Sequence, residues 1–567
     1  MNQVNWQDVT PSFEQYEEIL RNATSLPAKP FIDLQPRLEA TTERFTRVQG
    51  LTRILLVNCT DNAIYRGFIS EVLEAKTSAP VVATESLDAK ELFDRYCVNQ
   101  DGQATFESGL LSKAHGGYLV IPANLVLANA ARWPNIKAAV QGGSFAPINL
   151  TPNRIASSPF APQEYNVKLI ITGDRNQLAE IEYVDEDFSA GLTMYTEVED
   201  DIHLSQENLR NYISLVNWIC QKYQHPTLSN EAFRRLILAG MRYTEDQHYL
   251  PLGVMWHNQL LGLASQYSNS SVIEFDDIDQ AIDDKYYRES YLPQRAVDDI
   301  LDGQVIIETT GEQVGQINGL TVIDMAGHPV SYGEPARISC VIHFGDGDIS
   351  DVERKAELGG NLHAKGMMIM QAFVSSALNL DEPLPYSASI VFEQSYSEVD
   401  GDSASLAELC CLVSALSESP VNQQIAVTGA VDQFGRVQAV GGLNEKIEGF
   451  YQVCKHQGFT GEQGVIMPKT NLKHLALHKD VIESIKNGEF HLWSVSTVDE
   501  AIPLLMSKPF RGEDDSIIGK IAERIENFER HEHPEGIVER IKTGLSSTDR
   551  SCLAYTCSLR CSYQKLE

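Results

Sequence analysis

Residues 54 to 57 read Ile-Leu-Leu-Val with no polar interruption, and the stretch after them, AIYRGFISEVLEA, returns apolar residues at helical spacing. The same order recurs in GGYLVIPANLVLANAARWPNIKAAVQ, where Tyr118 to Ile121 form the apolar run. A third run, VKLIITGD, begins at Val167 after a connection rich in Pro and Ser at residues 147 to 163. Strands that alternate with helices predict an α/β sheet with parallel strands. From Leu204 to Gln266 the pattern turns helical, as in NEAFRRLILAGMRY, and the charged run EFDDIDQAIDDKYYRES marks a boundary before residue 300. Beyond it, GQVIIETTGEQVGQINGLTVID and ARISCVIHFG predict strands, and GMMIMQAFVSSAL predicts a helix. QQIAVTGAVDQFGRVQAV predicts two strands joined by a turn at Asp432 to Gly435. This second half is a separate domain of strands and helices. Ile518, Ile521, Ile525 and Phe528 then recur at helical spacing before a polar end, and the first 45 residues read as a polar lead-in.

Composition narrows the function classes. The chain has 567 residues, 43% hydrophobic and 22% charged, which suits a soluble protein of several domains. Its 78 acidic and 45 basic residues give a formal charge of -33, which argues against nucleic acid or an anionic membrane as partner. The opening MNQVNWQDVTPSFEQY has no charged head and apolar run of a secretory leader, and no apolar stretch reaches the roughly 18 residues of a membrane span, so a cytoplasmic protein is expected. The ten cysteines form no CxxC pair and read as reduced structural thiols. Cys552, Cys557 and Cys561 crowd the C-terminal end, but the nearby histidines, His531 and His533, lie upstream and do not complete a metal-ligand spacing.

The repeated strand–helix order invites a nucleotide site, and the sequence lacks the parts for one. A phosphate loop needs GxxxxGK[ST], whose glycines let backbone N–H groups surround the phosphates while the lysine neutralises them. The corresponding stretch is NCTDNAIYRG, and the chain's Gly-Lys pair, Gly519 and Lys520, is followed by isoleucine in the C-terminal helix. A Mg²⁺-binding strand end should close on Asp-Glu, but YLVI runs into Pro122 and Ala123. No cofactor is therefore expected from the residues themselves.

Two residues carry candidate chemistry. In EVDGDSASLAELCCLVSAL, Ser403 stands before a helix whose Leu406, Leu409, Cys410, Val413 and Leu416 form an apolar stripe. Serine is common there simply because it satisfies an unpaired N–H. Equally, a helix N-terminus turns N–H groups and positive dipole toward a developing oxyanion, which suits a nucleophile. In AVGGLNEKIEGFYQVC, Lys446 shares a helix with the apolar face of Leu443, Ile447, Phe450, Tyr451 and Cys454. Such a lysine either snorkels to water or is desolvated, in which case its pKa falls and the neutral amine can act as a base.

The three blocks together, Asp400-Gly401 with Ser403-Ala404, then Thr428-Gly429, then Gly441-Gly442-Leu443 with Lys446, resemble the proteolytic domain of the Lon protease family. GVIMPKTN, from Gly464, resembles the strand and loop after that family's lysine helix, and EVDGDSAS and GGNLHAKG look closer to its archaeal-type branch. The resemblance runs from about Gly311 to Leu505 and extends weakly to KAHGGYLVIPAN and VKLIITGD in the front half. It implies an AAA+-like α/β domain with a helical lid, followed by an α+β Lon-type proteolytic domain. The divisions it implies are a lead-in at 1–45, the AAA+-like domain at 46–200, lid and linker at 201–299, the proteolytic domain at 300–510, and a C-terminal helix and tail at 511–567.

Its further implications concern function. They are peptide-bond hydrolysis by a Ser403–Lys446 dyad on polypeptide substrates, with Thr428 orienting the lysine and Asp400 and Asp402 as supporting residues. Asp400 could instead pair with Lys446 and keep it protonated. The family also implies a homo-oligomeric ring of six, and ATP with Mg²⁺, which the departures at residues 58 to 67 and 122 to 123 oppose. Two alternatives stay open: an ATP-driven unfoldase-protease with a divergent nucleotide site, and a chaperone or adaptor without catalysis.

Overall fold

The computed structural model describes residues 2–156, 160–345, 347–378, 385–395, 399–512 and 515–532. Cys552, Cys557, Cys561 and most of the 511–567 segment lie outside the described residues. The chain divides into two compact units, one of residues 13–244 with 248–284, the other of residues 285 onward with 1–12 and 245–247.

The first unit is built on a parallel sheet of strands β1 (Ile54–Asn58), β2 (Val81–Ala83), β3 (Tyr118–Pro122), β4 (Lys168–Gly173) and β5 (Thr193–Glu197), in the spatial order β5-β1-β4-β3-β2. The unbroken apolar runs have a simple cause. Leu55, Val57, Val120 and Ile170 face one buried core, while their chain neighbours Ile54, Leu56, Leu119, Ile121, Leu169 and Ile171 face another. A strand covered on both sides needs no polar alternation. Residues 1–45, read as a polar lead-in, include the helix Pro36–Arg47 and bury Phe31, Leu34, Leu38 and Phe45 in the first of these cores. That core also takes the apolar faces of helices Gln206–Tyr223, Asn230–Thr244 and Val254–Tyr267. Between β1 and β2 runs α1 (Ala63–Lys76), which buries Phe68, Ile69, Val72 and Leu73.

The second unit holds a mixed sheet of seven strands: β6 (Gln316–Ile323), β7 (Tyr332–Phe344), β8 (Ile349–Asp351), β9 (Tyr386–Phe392), β10 (Ile425–Val427), β11 (Gln463–Pro468) and β12 (Phe490–Val495), in the order β8-β9-β7-β6-β10-β11-β12. Its helices include α2 (Asn361–Ala377), α3 (Ser405–Ser417), α4 (Leu443–Gln457) and α5 (Ile517–Glu532). An amphipathic α3 with one apolar stripe was expected. Instead all 13 of its residues are buried, packed among β6, β7, α2 and α5, so it is the central helix of this unit. On α5, Ile517, Ile521 and Ile525 enter the same core and Ile518 is half-buried.

The run read as one strand from Gln423 to Val431 is broken. β10 ends at Val427, and Ala430–Val431 leaves the sheet to form a small hairpin with Val437–Gln438. The break is at Gly429, whose φ of +156° has no room for a side chain: a Cβ would come within 3.0 Å of Val437 and 3.1 Å of Leu406. At the far edge of the sheet the start of the chain pairs with β12, Val4 N–H donating to Leu492 O at 2.8 Å and Ser494 N–H to Asn2 O at 2.9 Å. Among the described residues no helix is long and apolar enough to cross a membrane.

Candidate active site

Ser403 sits in the turn before α3, half-buried, with its Oγ 2.9 Å from Lys446 Nζ. Three segments set that distance. Buried α3 fixes the turn from below, because Ser405 caps back on it: Ser405 Oγ donates to Asp402 O at 2.8 Å and accepts from Val431 N at 3.0 Å. The end of β10 holds the serine backbone, Gly429 N–H donating to Ser403 O at 2.9 Å and Thr428 Oγ–H to the same oxygen at 3.3 Å. Thr428, fully buried, also accepts from Lys446 Nζ at 3.4 Å, so one hydroxyl touches the serine's carbonyl and the lysine's amine. The break in the predicted strand is what brings Thr428 to this position.

Lys446 does not snorkel. It lies in the first turn of α4 and is 3% exposed, on the face that buries Leu443, Ile447 and Phe450. Desolvation lowers its pKa to about 8, opposed by the negative charge of Asp402. Asp400 is turned elsewhere. Its Oδ1 accepts from Leu362 N at 3.1 Å and Gly401 N at 3.0 Å, binding the turn to the start of α2.

The carboxyl ends of β1, β3 and β4, where an open α/β sheet takes its ligand, hold a second constellation. Asn62 caps α1 with its own side chain, accepting from Ile64 N at 3.0 Å and Tyr65 N at 3.1 Å, N–H groups that a phosphate would otherwise take. Arg66, 4% exposed, forms ion pairs with Asp61 and Glu85 and donates to Thr172 Oγ at 3.1 Å. Gln177 Nε2 approaches Asp61 at 3.3 Å. A guanidinium already bound to two carboxylates, at the end of a helix capped from within, does not fit a nucleotide phosphate with its metal. Sequence reasoning missed Arg66. The signal was an arginine among Tyr65, Phe68 and Ile69 on a helix with a buried face.

Two family models match the chain: the Lon protease (S16) C-terminal proteolytic domain over residues 392–508, and the LonB-like AAA domain over residues 77–198. The fold and site therefore define a peptidase-family chain with an AAA-like front region. A Lon protease homolog of Escherichia coli (strain K12) is 36% identical over 564 residues, covering 93% of this chain and 96% of the relative. One from Haemophilus influenzae is 39% identical over 429 residues, covering 75% and 71%. The archaeal Lon protease of Methanocaldococcus jannaschii is 39% identical over 123 residues, 22% of this chain and 16% of the relative. This chain belongs to the Lon protease family.

Proposed function

We propose that this protein is a serine endopeptidase that cleaves polypeptides with a Ser403–Lys446 dyad and runs without ATP. The observation that carries the reading is the 2.9 Å contact between Ser403 Oγ and a lysine amine buried to 3% exposure. In acylation, neutral Lys446 takes the Ser403 proton as Oγ bonds to the substrate carbonyl carbon. The ammonium passes that proton to the leaving nitrogen as the C–N bond breaks. In deacylation a water gives its proton to Lys446 and adds to the acyl carbon, and the proton returns to Oγ as the ester breaks. Backbone N–H groups at and near Ser403 serve the oxyanion, each contributing on the order of 3 kcal/mol. Thr428 orients the lysine, and Asp402 tunes its charge.

Support for ATP independence comes from the front region, where Arg66, Asp61 and the Asn62 cap occupy the groups a nucleotide would need. By family likeness, helices between residues 201 and 299 serve as the lid of the 46–200 region, residues 300–510 are the proteolytic domain, and the chain assembles as a six-membered ring. Mass photometry is expected to give six times the chain's mass, and a monomer peak would refute the ring.

Two measurements test the reading. With casein as substrate, ATP and Mg²⁺ are expected to change neither the cleavage rate nor the thermal midpoint, since a ligand that does not bind cannot stabilise. Stimulation by ATP would favour the ATP-driven alternative, and absence of any cleavage would favour the chaperone. In the pH profile, kcat/KM is expected to rise through about 8, where Lys446 gives up its proton. The sign follows from the base being the neutral form, of which roughly one molecule in ten is present at pH 7. A flat profile between pH 7 and 9 would remove Lys446 as the base.

A further inference from the structure

Behind the serine turn, inside the apolar core of the second unit, four titratable side chains meet that the dyad does not use. His363 on α2 is 1% exposed, Glu408 on α3 is 1% exposed, Glu353 is 3% exposed and Asp351, at the end of β8, is 9% exposed. The imidazole has a carboxyl on each side: Nε2 is 3.1 Å from Asp351 Oδ2, and Nδ1 is 3.7 Å from Glu408 Oε1. Neither approach is aligned as a hydrogen bond, and Glu353 keeps one oxygen on Phe392 N at 2.9 Å. The ring also meets that of Phe392 edge to face, with centroids 5.8 Å apart. So many buried ionisable groups cost stability unless they serve another end.

The elements they join are those that hold the serine. Asp400 accepts from the first turn of α2, and Gly360 at that helix's N-cap lies so close that a Cβ would meet Asp400 Oδ1 at 2.3 Å. Gly366, a turn further along, packs on Asp402 and Ser405, and a Cβ there would meet both at 3.4 to 3.5 Å. Glu408 stands on α3 five residues after Ser403. The geometry points to His363 as a positioning residue: held as an imidazolium between Asp351 and Glu408, it pins α2 to α3 and to the end of β8, and so fixes the Asp400–Ser405 turn on which the nucleophile rides. The inference rests on the dyad reading above.

The charges that face His363 come from three elements, Asp351 from β8, Glu353 from the short helix after it and Glu408 from α3. Burial works against the imidazolium, and these carboxyls outweigh it, so the pKa of His363 lies above its ordinary value. Burial likewise pushes Glu408 up to about 7, so this carboxyl gives up its proton near neutrality. Asp351 also lines an open cavity of about 370 Å³ with Arg354, Lys355 and Met367, so the cluster meets solvent-accessible space at that end. Loss of the imidazolium proton leaves the pin with one donor for two acceptors, and the turn loosens at alkaline pH.

The test measures kcat and KM on a fluorogenic peptide from pH 6 to 10 for the full-length parent, His363→Gln, Glu408→Gln and Ser403→Ala. The parent is expected to show a descending alkaline limb beyond the rise set by Lys446. His363→Gln should lower kcat by about 10- to 100-fold with KM unchanged, as loss of a supporting partner commonly does, and should lose the descending limb. Glu408→Gln removes a carboxylate that holds the proton, so the descending limb should move to lower pH. A His363→Gln enzyme with the parent's kcat and the parent's limb overturns the inference. If that variant does not fold, an unmoved limb in Glu408→Gln overturns it alone. With Ser403→Ala inactive, these results bear on His363 only; an active Ser403→Ala removes the dyad itself.

Discussion

Ser403→Ala and Lys446→Met are each expected to lower casein cleavage by about 10³-fold or more, and the double variant to be no worse than either one. The reasoning is that nucleophile and base act as a unit. Without the amine at 2.9 Å the hydroxyl keeps its proton, and without the hydroxyl the amine has nothing to activate. Folding separates this from a structural role. Lys446 is desolvated, and its side-chain hydrogen-bond partners among the described residues are the hydroxyls of Ser403 and Thr428. Replacing it by a methionine of similar length removes that desolvation and is expected to raise stability by about 1–3 kcal/mol. Melting curves of the purified variants check the second part, casein assays the first. Parent-level cleavage by Ser403→Ala would end the dyad reading, and a Lys446→Met protein that melts well below the parent would mean that the lysine is needed for folding.

Arg66→Met is expected to be the most destabilising single change in the first unit, by about 3–5 kcal/mol, because it strips the cation from a buried pair and leaves Asp61 facing Thr172 and Gln177 with no compensating charge. Glu85, half-exposed, regains water more easily, so Asp61 carries most of the cost. Removing that carboxylate as well, in Arg66→Met with Asp61→Leu, should restore most of the stability, since an apolar replacement of both partners is often neutral. Urea unfolding followed by tryptophan fluorescence reads this, with Trp133, Trp218 and Trp256 in that unit. Full stability in Arg66→Met would mean that the ion pairs do not hold the strand ends together.

Much of this was legible in the sequence, and the rest was hidden for physical reasons. The three strands β1, β3 and β4 stood out because burial on both faces writes itself as an unbroken apolar run. Ser403 and Lys446 stood out because each sits in a short motif whose neighbours have fixed roles, and a lysine on an apolar face is rare enough to notice. The total burial of α3 was not legible: Ser405, Ser414 and Ser417 are polar residues that do not announce burial, yet each hydroxyl is satisfied by nearby backbone. The break after Val427 was hidden because Ile425 to Val431 keeps strand composition through the glycine that ends the strand. Arg66 and His363 were missed because a buried charge is recognised by its partners. Those partners lie at residues 61, 85 and 172 in one case and 351, 353 and 408 in the other, too far apart for any local pattern.

The pairing of residues 2 to 4 with β12 has a temporal consequence. Gln3 bonds to His491 across 488 residues of chain, so during synthesis residues 2 to 4 must wait for that whole stretch before their partner strand exists. At about 5–20 residues per second this delay is on the order of 25 to 100 seconds. Until then β12's place at the end of the sheet is unfilled, and the opening segment has no strand to join. This edge of the sheet is thus sealed by a segment made long before its partner, and a newborn molecule acquires its finished sheet only after residues 490 to 495 have been added.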